Sequence, residues 1–302
     1  MPGRGRNSRR KSKAKSLLFY CLLMIWPVAQ FLIFYVGVNV RSFVIAFQNP
    51  DTGAFSLEFF RAIFGVNWHT ILLTTRMSLL TYLISLVVGV PLGIVFAYYI
   101  YKHYFGSGFF RIVLYVPSIL STVVMVTLYY YFMTGEGSKW LFHGNNPFLD
   151  THYQFWVLAF FNVFISFGNS VIMYTNRMVN ISKEVIEAGR MDGAGPFREF
   201  WSIVLPEAYS TIEVFLVTGV ATIFTNQWCL YLFYSAGGLD PSVQTLGYYL
   251  FRGVSGATEA ELGGWSALGL LMSAVAIPLT FLLRYLLKRL GPDYQKKARI
   301  RA

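Results

Sequence analysis

The sequence predicts an all-α integral membrane protein with six transmembrane helices. Three observations carry that reading. First, 55% of the 302 residues are hydrophobic and only 13% are charged, too few charges to cover a water-exposed surface. Second, the apolar residues gather in six runs near or beyond the ~20 residues that cross a bilayer. Third, with the N-terminus placed inside, 20 of the 25 Lys and Arg fall on the inner side and 4 on the outer, leaving Arg76 within a span. Short basic connections stay on the cytoplasmic side, so this bias predicts both termini inward.

Residues 1–15 form a tail with seven Lys or Arg and no acid. Because an apolar run follows, the tail reads as a cytoplasmic anchor rather than a nucleic-acid arm. Residues 16–64 hold the first span, 16–38, and most of an outer connection, 39–66. That connection carries an Asn49-Pro50-Asp51 turn and a short amphipathic piece around Leu57 to Phe64. A core over 65–290 holds the remaining spans. Its second span, 69–101, is too long for a straight crossing, and Pro91 between Gly89 and Gly93 predicts a kink. The third span, 111–133, follows a short inner loop, and an outer loop, 134–152, leads to the fourth, 153–177. An inner loop, 178–205, precedes the fifth span, 206–234. A Gly-rich outer loop, 235–263, then leads to the sixth, 264–287, and residues 291–302 form a second basic tail. Cys21 and Cys229 lie in apolar runs, which predicts two buried thiols and no disulfide. The first apolar run lacks a small-residue cleavage site, so no cleavable signal is expected.

The inner loop 178–205 is the most informative stretch. Ser182 stands where a helix N-cap would, and Glu184 and Glu187 favour the positive end of the helix dipole. Gly193 can leave a helix at positive φ. Pro196 suits the first position of a second short helix, and Pro206 the start of the fifth span. The pattern Glu187-Ala188-Gly189, then Gly193, then Ile203, Leu205 and Pro206 resembles the signature loop of permease subunits of ATP-binding-cassette importers. That family usually has a second Ala where this chain has Gly189. Further stretches resemble its sugar-importing branch, of the maltose and glycerol-phosphate type. They are Phe109-Phe110-Arg111, Tyr115-Val116-Pro117, Asn226-Gln227-Trp228, Gly237-Gly238 and Gln244-Thr245-Leu246-Gly247-Tyr248-Tyr249. The resemblance covers roughly 65–290 and implies a type I importer (MetI-like) permease fold with a cytoplasmic coupling helix.

The resemblance also implies roles. Residues Ser182 to Met191 would dock on an ATPase, with Val185, Ile186, Ala188 and Met191 as apolar or small contacts and Glu187 as the partner of an Arg. Gly189 would allow close packing against that partner, Asp192 would belong to the same coupling set, and Gly193 would be either a backbone hinge or an ordinary helix stop. Ile203, Leu205 and Pro206 would pass its movement into the fifth span. The implied partners are a second, different permease subunit, two ATPase subunits carrying ATP and magnesium, and an extracytoplasmic solute-binding protein. The cargo would be a sugar or oligosaccharide, and the setting a bacterial cytoplasmic membrane and its lipid.

A path for such a cargo needs polar groups at membrane depth. On the fourth span Asn162, Ser166, Asn169, Met173 and Asn176 recur at helical spacing, and on the fifth Thr218, Thr222, Thr225 and Asn226 form a second stripe. Amides and hydroxyls match sugar hydroxyls as both donor and acceptor. Trp228, Tyr231 and Tyr129 could stack on sugar faces, although interfacial aromatics are common. The alternative for Asn162 and Asn226 is helix-to-helix hydrogen bonding. The chain shows no chemistry of its own: no P-loop, no nucleophile elbow, and His69, His103, His143 and His152 never at metal-ligand spacing. An enzyme is therefore disfavoured, and so is a channel, for want of a filter or charge ring. An ion-coupled carrier would need acids at mid-depth, whereas Glu207 and Glu213 lie near the inner end of the fifth span. A polyol or other polar solute remains the alternative cargo.

Overall fold

The computed structural model describes residues 19–49, 52–65, 68–234 and 239–292. The first basic tail, residues 293–302 of the second, the Gly237-Gly238 pair and part of the Asn49-Pro50-Asp51 turn lie outside the described residues. Among those described, all regular elements are helices, and five are long and apolar enough to cross a membrane. These are α1 (Phe19–Ala46), α3 (Trp68–Tyr101), α7 (Thr151–Val179), α9 (Pro196–Ala221) and α12 (Glu259–Leu290). Between them lie α2 (Glu58–Gly65), α4 (Ser107–Ile119), α5 (Thr122–Thr134) and α6 (Glu136–Leu141). The remainder are α8 (Lys183–Met191), α10 (Leu230–Tyr234) and α11 (Leu246–Gly256). The chain divides into two compact units, one of residues to Gly65 with 257–270, the other of 66–256 with the rest of α12.

In the first unit, α1 exposes nearly every side chain, and Ala46 is its one buried residue. Cys21 sits on this helix and is exposed, which corrects the expectation of a buried thiol. An apolar helix end that meets no other element leaves its side chains to lipid, where burial inside the chain is not required. The amphipathic piece forms α2, and its Phe59 fills the space that a side chain at Gly263 would need.

In the second unit the second span is one helix, α3, and the expected kink takes a specific form. Residues Ser85–Gly89 form a wide π turn in which the Val90 N–H reaches the Ser85 carbonyl. Pro91 follows one residue later. Proline has no N–H and its ring collides with the carbonyl four residues back, so a widened turn there relieves both problems. The same arrangement recurs in α9, where Phe200–Val204 is a π turn and the Leu205 N–H reaches the Phe200 carbonyl, just before Pro206. Pro206 therefore does not start a helix. Pro196 does, with Gly195 as the extended N-cap residue, and α9 runs through Pro206 without interruption.

Two more spans differ from expectation. The third is a bent pair, α4 and α5, at 100°, because Leu120 and Ser121 are extended one turn after Pro117. The fifth ends at Ala221, and residues 222–229 are non-helical before α10 resumes. Trp228 and Cys229 there adopt left-handed φ of 55° and 58°, which stops a right-handed helix outright.

Candidate functional site: a polar path above a charged inner loop

The helices α3 and α7, and the chain running from α9 into α10, change character along their length in the same order. At one end of α7, Val157, Leu158 and Ala159 join Met77 of α3, Trp228 and Leu230 in an apolar cluster. At the other end, Val171, Tyr174 and Met178 join Ile94, Ala97 and Ile100 of α3 and Val204, Ala208 and Ile212 of α9. Between the clusters all three chain segments turn polar: Ser78, Thr81, Tyr82 and Ser85; Asn162, Ser166, Asn169 and Ser170; Thr218, Gly219, Thr222 and Asn226. Two cavities open in this layer and share Tyr82, Ser85, Ser166, Gly219, Thr222 and Asn226. The outer, of about 130 Å³, reaches Asn162 and Trp228, and the inner, of about 340 Å³, reaches Asn169, Tyr174 and Phe215. The small residue Gly219 is required here, since a Cβ would stand 2.6 Å from the ring of Tyr82.

Hydrogen bonds hold the non-helical stretch as one wall. The Asn162 amide donates to the Trp228 carbonyl at 2.9 Å and to Leu158 at 3.0 Å. The Asn226 side-chain oxygen accepts from the Trp228 N–H at 2.9 Å. The Thr245 hydroxyl donates to the Asn226 carbonyl at 3.1 Å, and the Leu246 N–H donates to the Ser78 hydroxyl at 2.8 Å. Gly247 lets α11 approach this closely, because a Cβ would lie 2.6 Å from the Thr225 and Asn226 backbone. Both asparagines thus serve packing through one end of the amide while their residues border the cavity. Asn162, Ser166, Asn169, Thr222, Asn226 and Trp228 all line the path. Tyr231 does not: it packs on Phe251 at 4.8 Å against the outer cluster. Tyr129 is likewise engaged in that cluster, donating to the Val157 carbonyl at 2.9 Å. Met173 and Asn176, one and two turns further along the predicted stripe, are exposed outside it. The wall on α3 was absent from the sequence expectation, although Ser78, Thr81, Tyr82 and Ser85 stand at helical spacing.

The inner loop is built differently, around charge. Within α8, Ile186 is buried and belongs to the inner apolar cluster that includes Val204. It is turned into its own chain, which corrects its assignment as an outward contact. The missing side chain of Gly189 is filled by Ile203, so its smallness also serves this chain's own packing. Val185, Glu187, Ala188, Met191 and Asp192 face out, with Met191 89% exposed. Ser182 occupies the extended N-cap position, but its side chain makes no capping bond. Gly193 ends the turn at φ 79°, and the Ala194 N–H then bonds the Gly189 carbonyl at 3.0 Å. Beside α8, Phe197 and Trp201 are exposed aromatics with rings 6.1 Å apart.

Sequence reasoning missed the residue that ties this loop down. Glu199 is buried, with its carboxylate paired to Lys102 at the end of α3 and to Arg190 of α8 at 3.5 Å. The Tyr98 hydroxyl adds a bond to the Pro196 carbonyl at 2.9 Å. On the other side, Arg177 at the end of α7 donates to the Glu207 carbonyl at 3.1 Å, with the Glu207 carboxylate 3.9 Å away. Leu205 and Pro206 are half-buried in the same helix segment.

Among the described residues, helices able to cross a membrane, a polar path between them and a fastened inner loop make the architecture of a membrane-embedded transport subunit. The family described as "Binding-protein-dependent transport system inner membrane component" matches residues 89–292, and the chain belongs to it. Among curated relatives, the polygalacturonan/rhamnogalacturonan transport system permease protein YteP of Bacillus subtilis is 24% identical, with 94% of each chain covered. The sn-glycerol-3-phosphate transport system permease protein UgpA of Shigella dysenteriae is 23% identical over 88% of this chain and 89% of its own length. Among solved structures, a bacterial ABC transporter involved in import of the acidic polysaccharide alginate superposes with a TM-score of 0.79. It is 20% identical, covering 94% of this chain and 100% of that one.

Proposed function

We propose that this chain is one transmembrane subunit of an ATP-driven importer that takes a sugar or oligosaccharide from a solute-binding protein. The observation that carries this is the coincidence, in one chain, of a hydroxyl- and amide-lined path with an inner helix whose outward face is unused. Neutral sugars offer many hydroxyls and no charge, and Ser, Thr and Asn side chains meet them as donor and acceptor alike. The alginate importer was solved in complex with an alginate pentasaccharide-bound periplasmic protein, which supports the same delivery route here.

The second permease subunit would close the open side of the path, and two ATPase subunits would bind ATP and magnesium. On α8, Glu187 faces outward to pair with an Arg of the ATPase, and Val185, Ala188 and Met191 supply the apolar and small contacts. Phe197 and Trp201 extend that surface. Asp192 and Gly193 shape the turn. Ile203, Leu205 and Pro206 then receive the motion, since Ile203 sits against Gly189 and the π turn places Pro206 inside a continuous α9. With both termini inside, the ATPases meet α8 from the cytoplasm of a bacterial cell.

The test is reconstitution of the complete importer in proteoliposomes, with Glu187→Lys beside wild type. Breaking one partner of a buried interface charge pair costs ~2–5 kcal/mol, so uptake should vanish while the membrane subunit still inserts. Normal ATP-dependent uptake by Glu187→Lys at normal expression would overturn the coupling assignment.

A further inference from the structure

The two cavities have a shared peculiarity: among the described residues, none that lines either carries a charge. Arg76 is the cation of α3 nearest this depth, but it stands two residues from Ser78, on the opposite face of the helix, and is exposed. A carboxylate or phosphate brought into this layer would lose its water without gaining a cation from this chain, a heavy penalty at membrane depth. This chemistry differs from the acidic cargo named for the alginate importer.

The inner cavity has a second peculiarity. Tyr174 borders it and is completely buried, yet its hydroxyl has no hydrogen-bond partner. Its ring is held in place on two sides, by Phe215 at 5.1 Å and by the backbone of Gly93, where even a Cβ would come within 3.2 Å of the ring. Phenylalanine would fill that space equally well without stranding a polar atom. Buried hydroxyls without partners are rare because each forfeits its hydration for nothing. Ser85, Ser166, Asn169, Ser170, Thr218 and Thr222 line the same cavity as Tyr174 and offer it polar company.

We propose that the inner cavity is a second subsite for an uncharged saccharide, occupied after the outer one, and that the Tyr174 hydroxyl is its buried contact with a sugar hydroxyl. The subsite rests on the importer function proposed above. It gives the path two stations, the outer at Asn162, Asn226 and Trp228 and the inner at Asn169 and Tyr174. The side chain waits unpaired in the empty path and is satisfied only in passage.

The test uses the complete importer in proteoliposomes, wild type and Tyr174→Phe. It is offered a labelled pool of neutral malto-, xylo- and galacto-oligosaccharides and, separately, a pool of oligogalacturonates. The expected result is a melting temperature for the Tyr174→Phe complex equal to or above wild type, with neutral uptake per complex reduced at least tenfold. Oligogalacturonates should be refused by both. Uptake by Tyr174→Phe within twofold of wild type would remove the inner contact. A melting temperature that falls together with uptake would assign the hydroxyl to a structural water instead. Uptake of oligogalacturonates by wild type would overturn the charge class. Wild type taking up neither pool would overturn the sugar-importer function itself, and the subsite with it.

Discussion

The inner loop and the polar path lie on the same three helices and satisfy their polar groups in opposite ways. At the loop, the charges that fasten it are paired within the chain: Glu199 with Lys102 and Arg190, Glu207 with Arg177. Among the described residues that line the path no group is charged, and one fully buried hydroxyl, that of Tyr174, is left without a partner. On the function proposed above, the difference follows from what each must do. A lever has to be stiff, and a buried ion pair with its hydrogen bonds met fixes one geometry. A passage has to release what it binds, so its groups must be able to exist unpaired, which neutral hydroxyls tolerate far better than charges. The π turn before Pro206 stands on the loop side of this divide, at the inner apolar cluster, whereas the one before Pro91 borders the inner cavity itself.

The sharpest way to break the comparison is to strand a charge at the loop. Lys102→Ala leaves Glu199, whose side chain is 3% exposed, with only the longer contact to Arg190. The expected destabilisation is ~3–5 kcal/mol, read as a fall in melting temperature of the purified subunit in detergent. The double variant Lys102→Met with Glu199→Gln should recover much of that loss, because no unpaired charge remains. Unchanged melting of Lys102→Ala would mean the pair fastens nothing.

A smaller effect is expected in the path. Asn162→Leu leaves the Trp228 carbonyl without its side-chain donor, at a cost of ~1–3 kcal/mol. Assembly with the second permease should weaken for all cargoes alike, since the wall rather than the ligand contact is damaged. Uptake that falls for one sugar but not another, at constant assembly, would make Asn162 a selective contact instead.

The smallest effect is at Ser182. N-cap serines usually contribute ~0.5–2 kcal/mol, but this side chain makes no capping bond. Ser182→Ala should therefore shift the melting temperature within measurement error. A clear drop would show that the cap forms in the assembled protein.

Much of this was legible in the sequence because long apolar runs and loop charge are local signals. Pro91 announced a distortion, and Gly193 announced a left-handed stop. The break in the fifth span was not legible: Thr222 to Cys229 remains apolar enough to read as helix. What unwinds it are partners far along the chain, Asn162, Thr245 and the close approach of Gly247. Glu199 was missed for the same reason, since Lys102 is distant in sequence and neither residue is conspicuous alone. The stripes on α7 and α9 were readable from spacing, whereas Met173 and Asn176 continued the spacing past the cavity's end. The polar wall of α3 obeyed the same periodicity but was hidden in a helix dominated by Leu, Ile and Val. Ile186 and Gly189 were taken as outward-facing because the motif is contiguous, while the helix it forms has an inner face as well.

The central claim is that the outward face of α8 docks on an ATPase at the cytoplasmic side. Its most direct test is a single cysteine at Met191→Cys, with Cys21 and Cys229 replaced by alanine, in the complete complex. A short bis-maleimide should join that cysteine to the ATPase subunit, with a yield that changes when ATP and magnesium are added. In intact cells an impermeant maleimide should reach it only after permeabilisation. No cross-link in any nucleotide state, or labelling of intact cells from outside, would contradict the account.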